Sequence, residues 1–449
     1  MYGLFFNFLK FEGKRVFFDK KNLLFFLVIS SLAFYFTFTG INEYRWSRGD
    51  EANFAHYEGE KIGTYVNYAQ YGAYGFRLLY APSPLIVFFG NSSVLQEVES
   101  NIDVTEIIKV SHSFKGKNLF LYKGYFKDFS GIVFLFGSLL MLYMGMSCFS
   151  SLAYSKFMVR KVGLNRFFSL TVLCRMMMLS LFFLLLTGGC WLATILAGVR
   201  FSSAEKGNFV LFGLMALVYL DFFFLAGITV TLLSRFRRHV FVWLFILWFA
   251  FVFLIPEIGR MILFNRSKFL VSNDAVNLEK LKTLMTFERK MKEQFKQVSG
   301  DERKRMDFVN RAMADYINNS FLFNETVELR LTQEMRGLIH LHQGVSLAFP
   351  SAFFSLAAGE ISSRGYWGYL DFVDFIMKMR REFLKYYVNK NYFTHDREVL
   401  PFIRGEQAIF RGRSRLPGGF WTGFALTVMY CACFLFVSRL FLKKLVYRP

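Results

Sequence analysis

Six long apolar runs interrupt the chain, at 23–41, 129–153, 168–198, 208–234, 240–264 and 418–438. Most reach or exceed the ~20 residues that a helix needs to cross ~30 Å of hydrocarbon. They predict six transmembrane helices. Two long segments, 42–128 and 265–416, separate some of the runs, and the other connections are short. Residues 4–18 set Leu4, Phe5, Phe8, Leu9 and Phe11 among Lys10, Lys14 and Arg15, a pattern for a short interfacial helix feeding the first span. Residues 50–80 mix Glu58, Glu60 and Lys61 with Tyr65, Tyr68, Tyr71 and Tyr74, which predicts a helix continuing out of the membrane. Ala81-Pro82-Ser83-Pro84-Leu85 stops any helix, because each proline removes a donor and restrains its predecessor. Residues 102–126 alternate as strands, through Ile102, Val104, Ile107, Val110, Leu119, Leu121 and Tyr125.

The second long segment has helical spacing. Leu281, Leu284, Met291, Phe295 and Val298 share a face, and Ser299-Gly300-Asp301 breaks the chain. Met306, Val309, Met313 and Ile317 repeat the spacing, as do Val327, Leu331, Met335 and Leu338. Phe372, Phe375, Ile376, Met379, Phe383 and Tyr387 make the cleanest stripe. Such stripes are read as core, here of a helical bundle standing on the fifth and sixth spans. The expected fold class is mainly α: a polytopic membrane protein with a mixed α/β first external insertion and a helical second one.

Charge supplies the orientation. The segments 1–22, 154–167, 235–239 and 439–449 hold 16 Lys/Arg and 2 acids in 52 residues. Residues 42–128 carry 9 basic and 10 acidic side chains, and 265–416 carry 25 and 18. Short Lys/Arg-rich loops stay in the cytoplasm. Both termini are therefore expected inside a bacterial cytoplasmic (inner) membrane, with 42–128 and 265–416 periplasmic. The net charge of +21 is then mostly loop charge facing an anionic leaflet, and no nucleic-acid motif accompanies it. All five Cys lie in or beside apolar runs, so no disulfides are expected in the external segments, and Cys431–Cys433 does not have metal-site spacing. The run at 23–41 is longer than a signal core and lacks a small-residue cleavage pattern, so no cleaved leader is expected.

Catalytic signatures are absent from the sequence. There is no GxxxxGK[ST], GxSxG, HExxH or paired CxxC. His340 and His342 fall on different helix faces, and His56, His112 and His395 are isolated. Within the spans, Asp221 sits near the middle of the fourth and Arg175 about two turns into the third. An intramembrane charge suggests function by default, as a polar path or a proton-linked switch. One carboxylate does not make a relay, so the expectation is a fixed Asp221–Arg175 pair or hydrogen bonds to Thr or Ser of a neighbouring span.

The layout resembles membrane subunits of ABC exporters of the ABC-2 type, in the branch with two external insertions. Ala81-Pro82-Ser83-Pro84-Leu85 with Gly90 is similar to a Pro-Ser-Pro-Leu…Gly stretch of the first insertion. Phe349-Pro350-Ser351-Ala352 with Ala357-Ala358-Gly359 resembles a Pro-containing segment of the second, and Phe253-Leu254-Ile255-Pro256 is similar too. The resemblance implies two paired membrane subunits, the same or related, above two copies of a separate ATPase subunit. ATP and Mg would be held by that partner, with no cofactor on this chain. The implied coupling loop is 154–167, with Lys156, Arg160, Lys161, Gly163, Leu164 and Arg166, assisted by Arg235, Arg237 and Arg238. The same residues also serve the positive-inside effect. Tyr154–Phe167 departs from the family in having no acid and only Gly163-Leu164 of a Gly-Thr-Leu-like turn, a pattern suited to a degenerate half beside a more typical subunit.

Three functions follow for weighing. The first is an exporter subunit coupling partner ATP hydrolysis to passage of a lipid, glycan or peptide, or to motion of its external domains. The second is an envelope scaffold or mechanical relay whose external helices bind a periplasmic partner. An intramembrane transferase comes last, since Asp221 alone is a poor site.

Overall fold

The computed structural model describes residues 2–81, 83–90, 99–104, 128–149, 152–233, 240–258, 273–295, 302–394, 398–403 and 405–447. A short helix, α1 (Tyr2–Phe17), precedes the first span, α2 (Lys20–Gly63). Then come α3 (Tyr68–Tyr74), β1 (Phe76–Ala81), the single turn α4 (Ile86–Phe89) and β2 (Glu99–Ile102). The second span, α5 (Phe129–Cys148), leads to α6 (Leu152–Val162). Three spans follow: α7 (Leu164–Leu196), α8 (Ser203–Leu233) and α9 (Val240–Ile258). Next are α10 (Asn273–Phe295), α11 (Glu302–Leu347), α12 (Pro350–Ile361), α13 (Tyr366–Val388) and β3 (Ile409–Arg411). The last span is α14 (Phe420–Tyr447). The six spans are long and apolar enough to cross a membrane, and the chain is a multi-pass membrane protein.

α5 and α8 form the centre of the membrane bundle. They approach closely because Gly145 and Gly227 lack side chains. A Cβ at Gly145 would lie 2.1 Å from the Phe224 carbonyl oxygen, and one at Gly227 would lie 2.4 Å from that of Leu142. Small residues let span backbones touch where water offers no driving force. α8 begins in a reciprocal cap: Ser202 N–H donates to Glu205 Oε2 at 2.7 Å, and Glu205 N–H donates to Ser202 Oγ at 3.3 Å. Its other end is tied to α14 by Thr229 Oγ1 and Ser438 Oγ, 2.8 Å apart.

α1, α6, the start of α7 and the end of α14 gather on one face, the terminal face. The sheet and α10–α13 occupy the opposite, far face. There the predicted 50–80 helix is corrected. α2 does run 22 residues past the apolar run, but it ends at Gly63, and α3 restarts where Asn67 Oδ1 accepts from Gln70 N–H at 2.9 Å. Gly75, at φ +60°, closes α3, and residues 76–81 are a strand. Of the predicted strand region, Glu99–Ile102 pairs antiparallel to β1, with Phe76 opposite Ile102. Ile107, Val110, Leu119, Leu121 and Tyr125 lie outside the described residues. β3 pairs parallel to β1, with Leu79 opposite Ile409, so one three-stranded sheet draws on both long segments.

The core of the far face is shared in the same way. Phe383 of α13 packs edge-on against Tyr71 and Phe76, at 5.0 and 5.2 Å between ring centroids. In the predicted stripe Phe372, Ile376, Met379, Phe383 and Tyr387 are buried, and Phe375 is half-buried against Phe410. The predicted stripe on α10 is not a core face: Leu281 and Leu284 are exposed and Met291 is half-buried, while Val298 and the break Ser299-Gly300-Asp301 lie outside the described residues. α10 touches α11 through Phe287 and Tyr316, 4.3 Å apart, and no second layer covers it among the described residues. Met306 and Met313 at the start of α11 are exposed for the same reason, whereas Met335 further along is buried.

Candidate functional site

Three places concentrate polar groups: the terminal face, the middle of the spans, and the junction between the spans and the far-face body.

On the terminal face the region 154–167 is not a loop but a helix, a glycine and a second helix. α6 buries Ser155 and Val159, one turn apart, and turns Phe157, Arg160 and Lys161 outward, with Lys156 half-buried. Lys161 Nζ lies 4.8 Å from the centre of the exposed Phe157 ring. Gly163 joins the helices at φ +86° and ψ 148°, a conformation that costs a side-chain-bearing residue about 1–3 kcal/mol. Its N–H donates to Val159 O at 2.9 Å and its carbonyl accepts from Phe167 N–H at 3.0 Å, so the turn is hydrogen-bonded on both sides. Leu164 is half-buried and Arg166 is exposed on the first turn of α7. Beside it, Arg439 Nη2 of α14 donates to Asn165 Oδ1 at 2.8 Å. Arg235, Arg237 and Arg238 lie outside the described residues.

Arg175 is buried, but its partner is Glu12 of α1, not Asp221, and that expected pair is corrected. Arg175 Nε donates to Glu12 Oε2 at 2.6 Å, and Arg15 Nη1 donates to Glu12 Oε1 at 3.2 Å. Arg175 Nη1 also donates to Ser147 Oγ at 2.9 Å and to Met144 O at 3.2 Å, both on α5. The guanidinium is directed between α1 and α5, where α1 brings Phe8, Glu12 and Val16 inward along one face. Asp221 is half-buried on α8, and its Oδ1 has no hydrogen-bond partner among the described residues.

At the junction, α12 enters the top of the bundle. Phe354 packs on Tyr219, Phe212 and Phe134 at 4.6, 5.1 and 5.7 Å. Two spans widen into π turns beside it, Val133–Gly137 in α5 and Ala250–Leu254 in α9. A π turn displaces carbonyls from the helical ladder, and buried carbonyls need donors. Phe134 O accepts from Tyr219 OH at 2.9 Å, and Phe251 O accepts from the Ser351 hydroxyl. Ser138 Oγ, which donates to Phe134 O at 2.5 Å, accepts from Trp248 Nε1 at 2.9 Å. Side chains from α8, α9 and α12 thus complete the hydrogen bonding of the widened turns.

The two proline-containing segments meet here. The turn between α12 and α13 holds Ser363 at φ +64°, a strained conformation for serine. Tyr80 OH donates to Ser363 O, Ser83 N–H donates to Ser363 Oγ at 3.0 Å, and Ser83 OH donates to Glu205 Oε1 of α8 at 2.5 Å. Burial pushes the Tyr80 phenol up to about 12. Glu360 is fully buried in the last turn of α12; its Oε1 accepts from Trp367 N–H at 3.2 Å, and Oε2 has no partner among the described residues. Burial raises its carboxyl to about 7, against the pull of the Trp367 N–H and the Arg415 guanidinium. His340 is exposed against Trp367, whereas His342 is buried against Tyr366 and lines a cavity of about 30 Å³ with Glu360.

A much larger cavity, about 1050 Å³, opens beside this junction. One wall is α2 from Asn42 to Tyr57, and the other is β1 with Arg364. Trp46 and Tyr57 are exposed on the first wall. Arg77 is neutralised by the buried Glu58, with Nε to Oε1 at 2.6 Å.

Glu12, Glu360, Arg364 and the π-turn caps were not singled out from sequence. Glu12 had a signal, as the single acid among the first 18 residues. The others are set by long-range contacts that no local pattern carries. Comparison with protein-family models, curated proteins and solved structures finds no match.

Proposed function

We propose that this chain is the membrane subunit of an ATP-driven exporter of the ABC-2 type, oriented with both termini in the cytoplasm of a bacterial inner membrane. The observation that carries the reading is α6. It presents Phe157, Arg160 and Lys161 outward on the terminal face and is joined to a 33-residue span through one glycine. A subunit pressing on α6 would move α7 directly and α14 through Arg439–Asn165. In this reading two ATPase subunits dock on α6 and Arg166, bind ATP and Mg, and drive two paired membrane subunits. The cargo is an amphiphile, a lipid, glycan or peptide.

A second reading is favoured by α2, which runs unbroken for 44 residues from the terminal face into the far-face body. Motion of such a rod can be delivered to an external partner as well as to cargo, so a mechanical relay shares most of the same parts.

The test is to purify the tagged protein in mild detergent and identify what accompanies it. A stoichiometric soluble subunit bearing a phosphate-binding loop, and a second six-span subunit, support the exporter reading. Recovery with external partners alone favours the scaffold.

A further inference from the structure

The large far-face cavity has the position, shape and charge of an amphiphile site. Asn42 is the first residue beyond the apolar run ending at Ile41, so the cavity begins at the expected membrane boundary. From Asn42 to Tyr57 the α2 wall rises about 22 Å at ~1.5 Å per residue. Trp46, with an amphipathic ring suited to the interface, stands at its lower end, 79% exposed. The volume of about 1050 Å³ is at the upper end of ordinary ligand sites.

The charges in it are not equivalent. Glu43 and Asp50 are exposed on α2 and solvated. Arg77 already has Glu58. Arg364 is the exception. Its Nε is buried, and its side chain makes no hydrogen bond or ion pair among the described residues. Burial lowers its affinity for its proton, the mark of a desolvated cation, with Tyr80 and Glu43 the main groups acting the other way. A partly buried guanidinium with no ion-pair contact among the described residues, and only the solvated Glu43 acting on it, demands an anion more than two solvated carboxylates demand cations. Guanidinium also matches phosphate and carboxylate in a planar, two-pronged fashion.

We infer that this cavity binds the anionic headgroup of a membrane amphiphile, with its phosphate or carboxylate on Arg364 and its apolar part leaving past Trp46 toward the bilayer. Glu43 and Asp50 then accept from headgroup hydroxyls. The inference deepens the exporter reading by giving its cargo a class, and it rests on that reading for its role in transport but not for binding.

The full-length protein in mild detergent is titrated with fluorescent phosphatidylglycerol, with phosphatidylcholine bearing the same chains, and with inorganic phosphate as competitor. Phosphatidylglycerol should bind saturably and more tightly than phosphatidylcholine. R364Q should weaken it about ten- to a hundredfold, the worth of a charge-assisted hydrogen bond, and R364K should restore part of the loss. W46A, at an exposed position where folding is not at stake, should weaken the lipid severalfold. Equal binding of both lipids, unchanged affinity in R364Q or W46A, or inorganic phosphate binding as tightly as the lipid would overturn the inference. The assay needs no ATPase, so its failure leaves the coupling reading standing, and failure to find an ATPase leaves lipid binding standing.

Discussion

Glu12 is fully buried and accepts from the buried Arg175 and the partly exposed Arg15, and that fixes what its replacement does. E12Q leaves Arg175 buried without a counter-charge, a change that costs about 3–5 kcal/mol. Unfolding in detergent should show a loss of that order, while E12L with R175M should be close to neutral. A single variant as stable as the parent would mean that the pair does not hold α1 to α7. Glu360 makes a prediction with a sign. Its carboxyl titrates near 7 when folded, against an ordinary value of 4.5, so the folded state keeps a proton that the unfolded chain releases through this window. Stability attributable to it falls as pH rises from about 4.5 to about 7 and stays low above that. E360Q should remove the dependence and be more stable than the parent at about pH 8 by on the order of a few kcal/mol. Equal curves at both ends of the window would contradict the assignment. At this scale the sequence was least legible. Arg175 stood out as a charge inside a span, but its partner lies 163 positions away. Asp221 was equally visible, and nothing local indicated that the two do not meet.

The elements were legible wherever one period ran long enough. Six apolar runs became six spanning helices, and the stripe from Phe372 to Tyr387 became a buried face. What misled was aromatic density without a clear period: 76–81 extends the tyrosine-rich stretch but forms a strand, because Gly75 ends the helix and Phe76, Leu78 and Tyr80 pack into the shared core. The amphipathic pattern of α10 was real but found no second layer among the described residues, since periodicity reports a face and not its partner. α6 was read as a loop because 154–167 is short and basic; its residues Leu152–Val162 form a helix, stiffer than a loop. G163A tests that stiffness. The added methyl meets open space, so the cost is backbone strain of about 1–3 kcal/mol. A modest fall in melting temperature is expected, with a larger loss of partner-coupled ATP hydrolysis. Loss of the first without the second would argue that the α6–α7 angle does not matter for coupling.

As a whole the molecule joins the two long segments into one far-face body seated on the spans. Tyr80 packs on Phe372 of α13 and on Phe410 of the β3 strand. F383A should therefore loosen both segments together, at about 3–5 kcal/mol, and limited proteolysis should cut α3 and α13 at the same rate rather than in sequence. Independent cleavage of one segment would contradict a shared core. This joining was invisible in sequence, because β1 and β3 are each too short to announce a partner. The two proline segments were noticed separately, and only the fold brings Ser83 to Ser363. The central claim is that α6 receives a separate ATPase. The most direct measurement compares ATP hydrolysis and subunit recovery for complexes purified through the parent chain and through a variant with Lys156, Arg160, Lys161 and Arg166 changed to Gln. The account predicts an ATPase subunit held by the parent and lost from a variant that still folds and inserts; an ATPase retained equally by both, or absent from both, would contradict it.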